Sequence, residues 1–238
     1  MSATSPREAG HRARRRFGQN FLRDEQVIER LLATLGPAPG QTVLEVGPGL
    51  GALTWPLLER LGALTVVELD RDLARRLEAR AAPGLRVVVA DVLEVELRAL
   101  HPGRALRVVG NLPYNIGTPL VLRLVDTHDC LSDVHVMLQR EVVERLAATP
   151  GTRAYGRLTV LVQSVFEVTA LFTVPPVAFE PSPKVHSAVV RLVPRTDAPS
   201  AATLDALSRI TRIAFAGKRK TLRNNLRGHL EPDAIAAL

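Results

Sequence analysis

The sequence predicts an α/β domain built on a doubly wound, mostly parallel sheet, with a small all-helical region after it. Three observations predict this. Short apolar runs alternate with helix-period stretches through about residue 140. Two further runs, 165–174 and 187–193, have no helix between them and read as a hairpin that closes the sheet. A polar, proline-containing break at 196–200 then leads into a purely helical pattern.

Composition bounds the function. A chain of 238 residues with 46% apolar content can build one large core and a small appendage. A net charge of +7 and a pI near 10.6 favour a polyanionic partner. Of 31 basic residues only Lys184, Lys218 and Lys220 are lysine, and arginine suits phosphate forks. Cys130 is the single cysteine, which excludes an intramolecular disulfide framework and a cysteine metal cluster. No metal site is expected. No apolar run is long enough to span a bilayer. The N-terminus is arginine-rich but has no apolar core of a secretory signal, so a cytoplasmic protein is expected.

The elements follow in order. Residues 1–16, ending His11-Arg12-Ala13-Arg14-Arg15-Arg16, read as a disordered basic arm. Phe17-Gly18-Gln19-Asn20-Phe21-Leu22 is a turn between aromatics, and Asp24 is placed to cap a helix over about 25–35. Thr42–Val46 is a first strand that runs into Gly47-Pro48-Gly49-Leu50-Gly51-Ala52 and a helix near 52–61. Such glycines let a backbone approach a ligand at a helix N-terminus. Gly47-x-Gly49-x-x-Ala52 also satisfies the dinucleotide fingerprint, so a dehydrogenase is an open alternative from this motif. Leu64–Leu69 is a second strand, with Glu68 placed to accept hydrogen bonds from ribose hydroxyls. Asp70 opens a helix to about Arg80. Arg86–Ala90 is the third strand, and Asp91 at its tip either accepts from an adenine amino group or caps a helix.

Leu106–Gly110 is the fourth strand, and it delivers Asn111-Leu112-Pro113-Tyr114. Pro113 ends the strand because proline has no N–H for the ladder. A carboxamide, a carbonyl and an aromatic ring thus stand at a strand's C-terminal end, where open α/β sheets bind ligands. These groups suit a neutral planar amine: the Asn111 oxygen and a main-chain carbonyl accept its N–H groups while Tyr114 stacks on the ring. A helix over Thr118–Val125, a strand over 134–139 and a helix near 140–148 follow, with His135 read as a core or edge histidine. The loop containing Arg153, Tyr155 and Arg157 suits an RNA backbone and its bases, and 158–164 reads as a helix. Pro175–Val185 is stiff and extended, with four prolines around Phe179. Between Arg209 and Arg227 lie seven cations and no acid, including Lys218, Arg219, Lys220 and Arg223, which favours a phosphate-binding face.

Taken together, these motifs carry a resemblance. Asn111-Leu112-Pro113-Tyr114 looks like the catalytic tetrapeptide of S-adenosylmethionine-dependent adenine-N6 methyltransferases. Phe17–Leu22, Glu45–Gly51, Glu68–Asp72, Asn111–Ile116, Ala154–Leu158, Phe179–Val190 and 215–225 occur in the order found in the small-subunit rRNA adenine-N6,N6-dimethyltransferase family. The match covers nearly the whole chain from Phe17. Phe179-x-Pro181-x-Pro183-Lys184-Val185-x-Ser187 and Ala154-Tyr155-Gly156-Arg157-Leu158 favour the ribosome-biogenesis enzyme over large-subunit rRNA methylases that confer antibiotic resistance. The helical region at the C-terminal end is shorter than the family's usual one.

The resemblance implies a Rossmann-like class I methyltransferase fold over residues 17–195 and a small helical RNA-binding domain over 196–238. It implies S-adenosylmethionine as cofactor, held by Gln19, Asn20, Leu22, Gly47, Gly49, Glu68, Asp91 and Asn111. The target adenine N6 would be held by Asn111 and the Leu112 carbonyl, with Pro113 shaping the turn and Tyr114 and Phe179 sandwiching the base. Arg153, Tyr155, Arg157, Lys184, Lys218, Arg219, Lys220 and Arg223 would face RNA. The implied substrate is two adjacent adenosines in a 3′-terminal hairpin loop of small-subunit rRNA within a pre-ribosomal 30S particle, bound by a monomer. A non-catalytic RNA-binding or assembly factor on the same fold is the alternative of another class.

Overall fold

The computed structural model describes residues 18–103, 105–217 and 220–229. The expected basic arm at 1–16, Phe17, Lys218, Arg219 and 230–238 lie outside the described residues. In chain order the strands are β1 (Phe21–Leu22), β2 (Val43–Val46), β3 (Leu64–Glu68), β4 (Leu85–Val89), β5 (Leu106–Asn111), β6 (Leu131–Gln139), β7 (Phe166–Val174), β8 (Phe179–Glu180) and β9 (Ser187–Pro194). The helices are α1 (Glu25–Leu35), α2 (Thr54–Leu61), α3 (Arg71–Glu78), α4 (Leu97–Leu100), α5 (Gly117–Asp126), α6 (Arg140–Leu146), α7 (Arg157–Gln163), α8 (Ala201–Ala214) and α9 (Leu222–Leu226).

Seven strands form one sheet in the spatial order β4-β3-β2-β5-β6-β9-β7. The first five are mutually parallel and joined through crossovers. The expected hairpin of β7 with β9 is present, and β9 inserts antiparallel between β6 and β7. The order in which strands are added reverses between β2 and β5, because β2 leads outward to β3 and β5 leads the other way to β6. That switch point opens a crevice at the strands' C-terminal ends.

Side chains alternate across the sheet, so both faces are apolar. Along β5, Val108 joins the core beneath α5, with Leu120 and Leu124, while Val109 joins the core beneath α1 and α2, with Leu32 and Leu57. Asp24 caps α1 as expected, its Oδ1 accepting from the N–H groups of Gln26 (2.9 Å) and Val27 (3.2 Å). Gly36 ends that helix in the left-handed region (φ 57°). At the opposite end of the sheet from Asn111, Arg107 clamps Asp133 with two hydrogen bonds of 2.9 and 2.8 Å. His135 is a core residue, 1% exposed, and burial pushes its pKa down to about 4.

Two features differ from the sequence expectation. The helix expected from 52 begins at Thr54, because residues 50–53 form turns off the glycine loop. Phe21–Leu22 and Phe179–Glu180, which belong to stretches read as a turn and a stiff track, pair with each other: β1 and β8 form a separate two-stranded antiparallel ribbon. The predicted break at 196–200 falls between β9 and α8, and α8 packs on α7.

Candidate active site

The C-terminal ends of β2, β3, β4 and β5 meet the β1–β8 ribbon around one cavity. Gln19, Asn20, Leu22, Gly47, Gly49, Glu68, Asp91, Asn111, Leu112, Pro113, Tyr114 and Phe179 all line it. The residues expected to hold the cofactor and those expected to hold the target are thus brought together.

The loop after β2 needs its glycines. Gly47, Gly49 and Gly51 have φ of 66°, 57° and 86°, a region that strains other residues. At Gly49 a Cβ would also lie 3.1 Å from the Phe21 ring, so the N-terminal segment rests on this loop. Gly110 serves another purpose: a Cβ there would run into the Val46 carbonyl, and its absence lets β5 lie close against the end of β2.

Carboxylates crowd the cavity. Glu68 accepts from the Gly49 N–H (3.1 Å, Oε2) and the Asp70 N–H (2.8 Å, Oε1). These bonds fix the orientation of the carboxylate in the cavity wall. Burial raises its pKa, against the pull of the backbone N–H groups. Asp91 closes a local turn through Leu93 N (2.9 Å) rather than capping a helix, since Glu96 caps α4. Gln19 is tethered by its Nε2, which donates to Asp70 Oδ2 at 3.2 Å.

One acid in the cavity wall escaped the sequence reading. Glu45 in β2 is 2% exposed, accepts from the Thr54 hydroxyl at 2.7 Å, and has its pKa raised by burial to about 8. Its signal was present as a single acid inside an apolar strand, where only a polar site or a partner makes a carboxyl tolerable.

At the target end, the Asn111 carboxamide has a fixed orientation. Its Nδ2 donates to the Asn20 carbonyl at 3.0 Å. A carbonyl can only accept, so the amide nitrogen must face Asn20. Among the described residues Oδ1 accepts nothing, and it is left for an incoming N–H donor. The Tyr114 hydroxyl is 3.0 Å from Ser187 Oγ, and Ser187 is fully buried at the start of β9. Burial raises the Tyr114 pKa, so the ring stays a neutral phenol. Phe179 reaches the cavity from β8, where it pairs with Leu22, and it is only 5% exposed.

The residues expected to face RNA scatter more widely. Arg153, Lys184, Lys220 and Arg223 are exposed. Tyr155 is partly buried against Phe215, their ring centroids 6.3 Å apart, which joins the 149–157 loop to the end of α8. Arg157 is turned inward, with one guanidinium nitrogen donating to Ser208 at 3.1 Å. Asn225 ties α9 back to the carbonyls of Ala214 (2.7 Å) and Gly217 (3.3 Å). Among the described residues no His, Cys, Asp and Glu side chains form a group that could hold a metal ion.

Comparison with known proteins fits this geometry. The family profile of ribosomal RNA adenine dimethylase matches residues 10–238. The ribosomal RNA small subunit methyltransferase A of Chromohalobacter salexigens is 51% identical, with 98% of this chain and 86% of the relative covered. That of Acinetobacter baylyi is also 51% identical, covering 99% of this chain and 87% of the relative. Among solved structures, a dimethyladenosine transferase from Plasmodium falciparum superposes with a TM-score of 0.76 at 27% identity, over 88% of this chain and 76% of the other. The 23S rRNA methyltransferase ErmE gives 0.71 at 31% identity, over 87% and 83%. With half of its residues shared along almost its full length, the chain belongs to the ribosomal RNA adenine dimethylase family.

Proposed function

We propose that this chain transfers methyl groups from S-adenosylmethionine to the N6 amino group of adenines in small-subunit rRNA, twice per base. The observation that carries the reading is the Asn111 amide, whose nitrogen is held by the Asn20 carbonyl so that its oxygen is left to accept from an incoming N–H donor. The relatives that share half its sequence are named for the small subunit, which favours that RNA over the large-subunit target named for ErmE.

The cavity fits the cofactor better than a dinucleotide. The Gly49 N–H, which a pyrophosphate would need, is already given to Glu68. Glu68 and Asp91 line the same space and disfavour a dianion, while they favour a ligand that carries a sulfonium and an ammonium. Glu68 and Asp91 would take the ribose hydroxyls and the adenine amino group, and Gln19, Asn20 and Leu22 would close over the ligand. When bound, S-adenosylmethionine supplies an electrophilic methyl on a positively charged sulfur.

The chain's own residues prepare the nucleophile. The N6 lone pair of adenine is delocalised into the purine ring, so the amine is weak. Asn111 Oδ1 and the Leu112 carbonyl accept its two N–H bonds, favour a more pyramidal nitrogen and fix its line of attack. With the cofactor held by these residues, its methyl would be open to in-line displacement by N6, the C–S bonding pair leaving with sulfur as a neutral thioether. The extra proton on nitrogen becomes acidic once the methyl is attached and passes to water, so no strong base is required. Tyr114 and Phe179 hold the base by stacking, and a base within a helix must first be flipped out or already be unpaired. Residues 196–238 and the exposed cations Arg153, Lys184, Lys220 and Arg223, with Lys218 and Arg219, would hold RNA phosphates.

The test is transfer of labelled methyl to undermethylated small subunits, with large subunits as the comparison. Asn111→Ala should abolish transfer while cofactor affinity stays within about tenfold, because the side chain serves the target amine. Retained turnover in that variant would remove Asn111 from its role. Absence of transfer by the unmodified protein would favour the non-catalytic alternative.

A further inference from the structure

The ribbon of β1 and β8 is two residues long on each side, with Phe21 opposite Glu180 and Leu22 opposite Phe179. Two-stranded pairs are marginal by themselves, and a one-residue slip turns every side chain to the other face. Something beyond the ladder must hold this register. The Arg23 and Asp24 N–H groups both donate to the Ala178 carbonyl, at 2.9 and 3.3 Å. Beyond the ladder the Arg23 guanidinium pairs with the Glu180 carboxylate, both side chains about one third exposed.

The ribbon touches both halves of the site. On its cofactor side Gln19 is tied to Asp70, and the Phe21 ring lies over Gly49. On its target side the Asn20 carbonyl orients the Asn111 amide, and a Cβ added at Gly18 would lie 3.3 Å from Asn115 Oδ1 and 3.8 Å from Pro113 Cβ, so the segment runs close beside the loop after β5. Across the ladder, the same few residues seat Phe179. A slip or tilt of the ribbon therefore moves the acceptor for the target amine and the ring over the target base together.

We propose that Arg23 and Glu180 are positioning residues for methyl transfer, their ion pair holding the register in which Asn20 aims Asn111 while Phe179 faces the bound adenine. The proposal rests on the reading of Asn111 and Phe179 given above. The pair touches neither ligand; it acts through the ribbon. It also makes the grip on the target sensitive to how well the N-terminal segment is seated by the cofactor, since one stretch of chain serves both.

The experiment is a double-mutant cycle with Arg23→Glu, Glu180→Arg and the exchanged pair, read as kcat and KM on undermethylated small subunits. Cofactor affinity by calorimetry and the thermal midpoint are measured alongside. Each single variant is expected to lose about tenfold or more in kcat, as misplacement by a fraction of an ångström does. KM for the subunits and the thermal midpoint should change little, because the phosphate contacts and the core lie elsewhere. The exchanged pair is expected to recover most of kcat. Single variants with normal kcat, or losses that multiply in the exchanged pair, would overturn the proposal. So would losses that track the thermal midpoint, which mark the pair as merely structural. Asn111→Ala in the same assay separates the two readings. If Asn111→Ala is inactive and the Arg23 and Glu180 variants are normal, only the ribbon's role fails. If Asn111→Ala is active, the reading of the site and the proposal fall together.

Discussion

Glu45→Gln should stabilise the cofactor-free protein at alkaline pH and not at acid pH. Glu45 is 2% exposed and its pKa is raised by burial to about 8, against an ordinary value of 4.5. Below pH 4.5 the folded and unfolded chains both carry the proton, and this group adds no pH dependence. As pH rises through 4.5 the unfolded chain releases the proton while the folded chain keeps it, so folding loses stability until about pH 8, where the folded carboxyl also ionises. The slope is about 1.4 kcal/mol per pH unit. Between about pH 5.5 and pH 8 the loss comes to roughly 3 kcal/mol as a ceiling. Glutamine keeps an oxygen for the Thr54 hydroxyl, 2.7 Å away, and cannot ionise. For a chain of this size the variant's thermal midpoint should gain roughly 6–12 °C on the unmodified protein between those two pH values, again as a ceiling. Scanning calorimetry on both proteins at both pH values measures it. Any constant cost of burying the new amide cancels in the double difference. A midpoint difference that is the same at pH 5.5 and pH 8 would refute the reasoning and mean that Glu45 is ionised in the folded state.

Three further outcomes are expected. Glu68→Ala should weaken S-adenosylmethionine binding by about 1–3 kcal/mol through lost hydrogen bonds to the ribose; unchanged affinity by calorimetry would make Glu68 purely a brace for the Gly49 loop. Replacing Lys218, Arg219, Lys220 and Arg223 together by alanine should weaken RNA binding and flatten its salt dependence by close to one counterion per lost phosphate contact. If affinity and slope both hold, that face is only solvated. Phe179→Leu should slow the second methyl transfer more than the first, since monomethyl adenine keeps one N–H for Asn111 and Leu112 and leans more on stacking, worth about 1–3 kcal/mol per base. Leucine fills most of the volume of a side chain that is 5% exposed, so the core survives. Mass spectrometry of nucleosides in a single-turnover time course should find excess N6-monomethyladenine; equal slowing of both steps would reduce Phe179 to support of the ribbon.

What the amino-acid sequence determined by itself was local in origin. Alternating apolar runs and helix-period stretches produced the strands and helices of the sheet, because periodicity reports burial directly. Pro113 ended β5 where the missing N–H demands it, which put Asn111 at a strand tip, and the glycines after β2 marked a loop with positive φ. The order of the motifs then carried the family. Only the tertiary structure decided the rest. The pairing of Phe21–Leu22 with Phe179–Glu180 joins segments 157 residues apart through strands too short to have any period. The direction of the Asn111 amide depends on a main-chain carbonyl 91 residues away, and Arg157 turned from an expected RNA contact to Ser208 because α8 packs beside it. Glu45 is legible in one dimension only as a lone acid inside an apolar strand, and it keeps its proton only once the sheet has removed water from around it. Desolvation and register are properties of which surfaces meet, and no window of neighbouring residues contains that information.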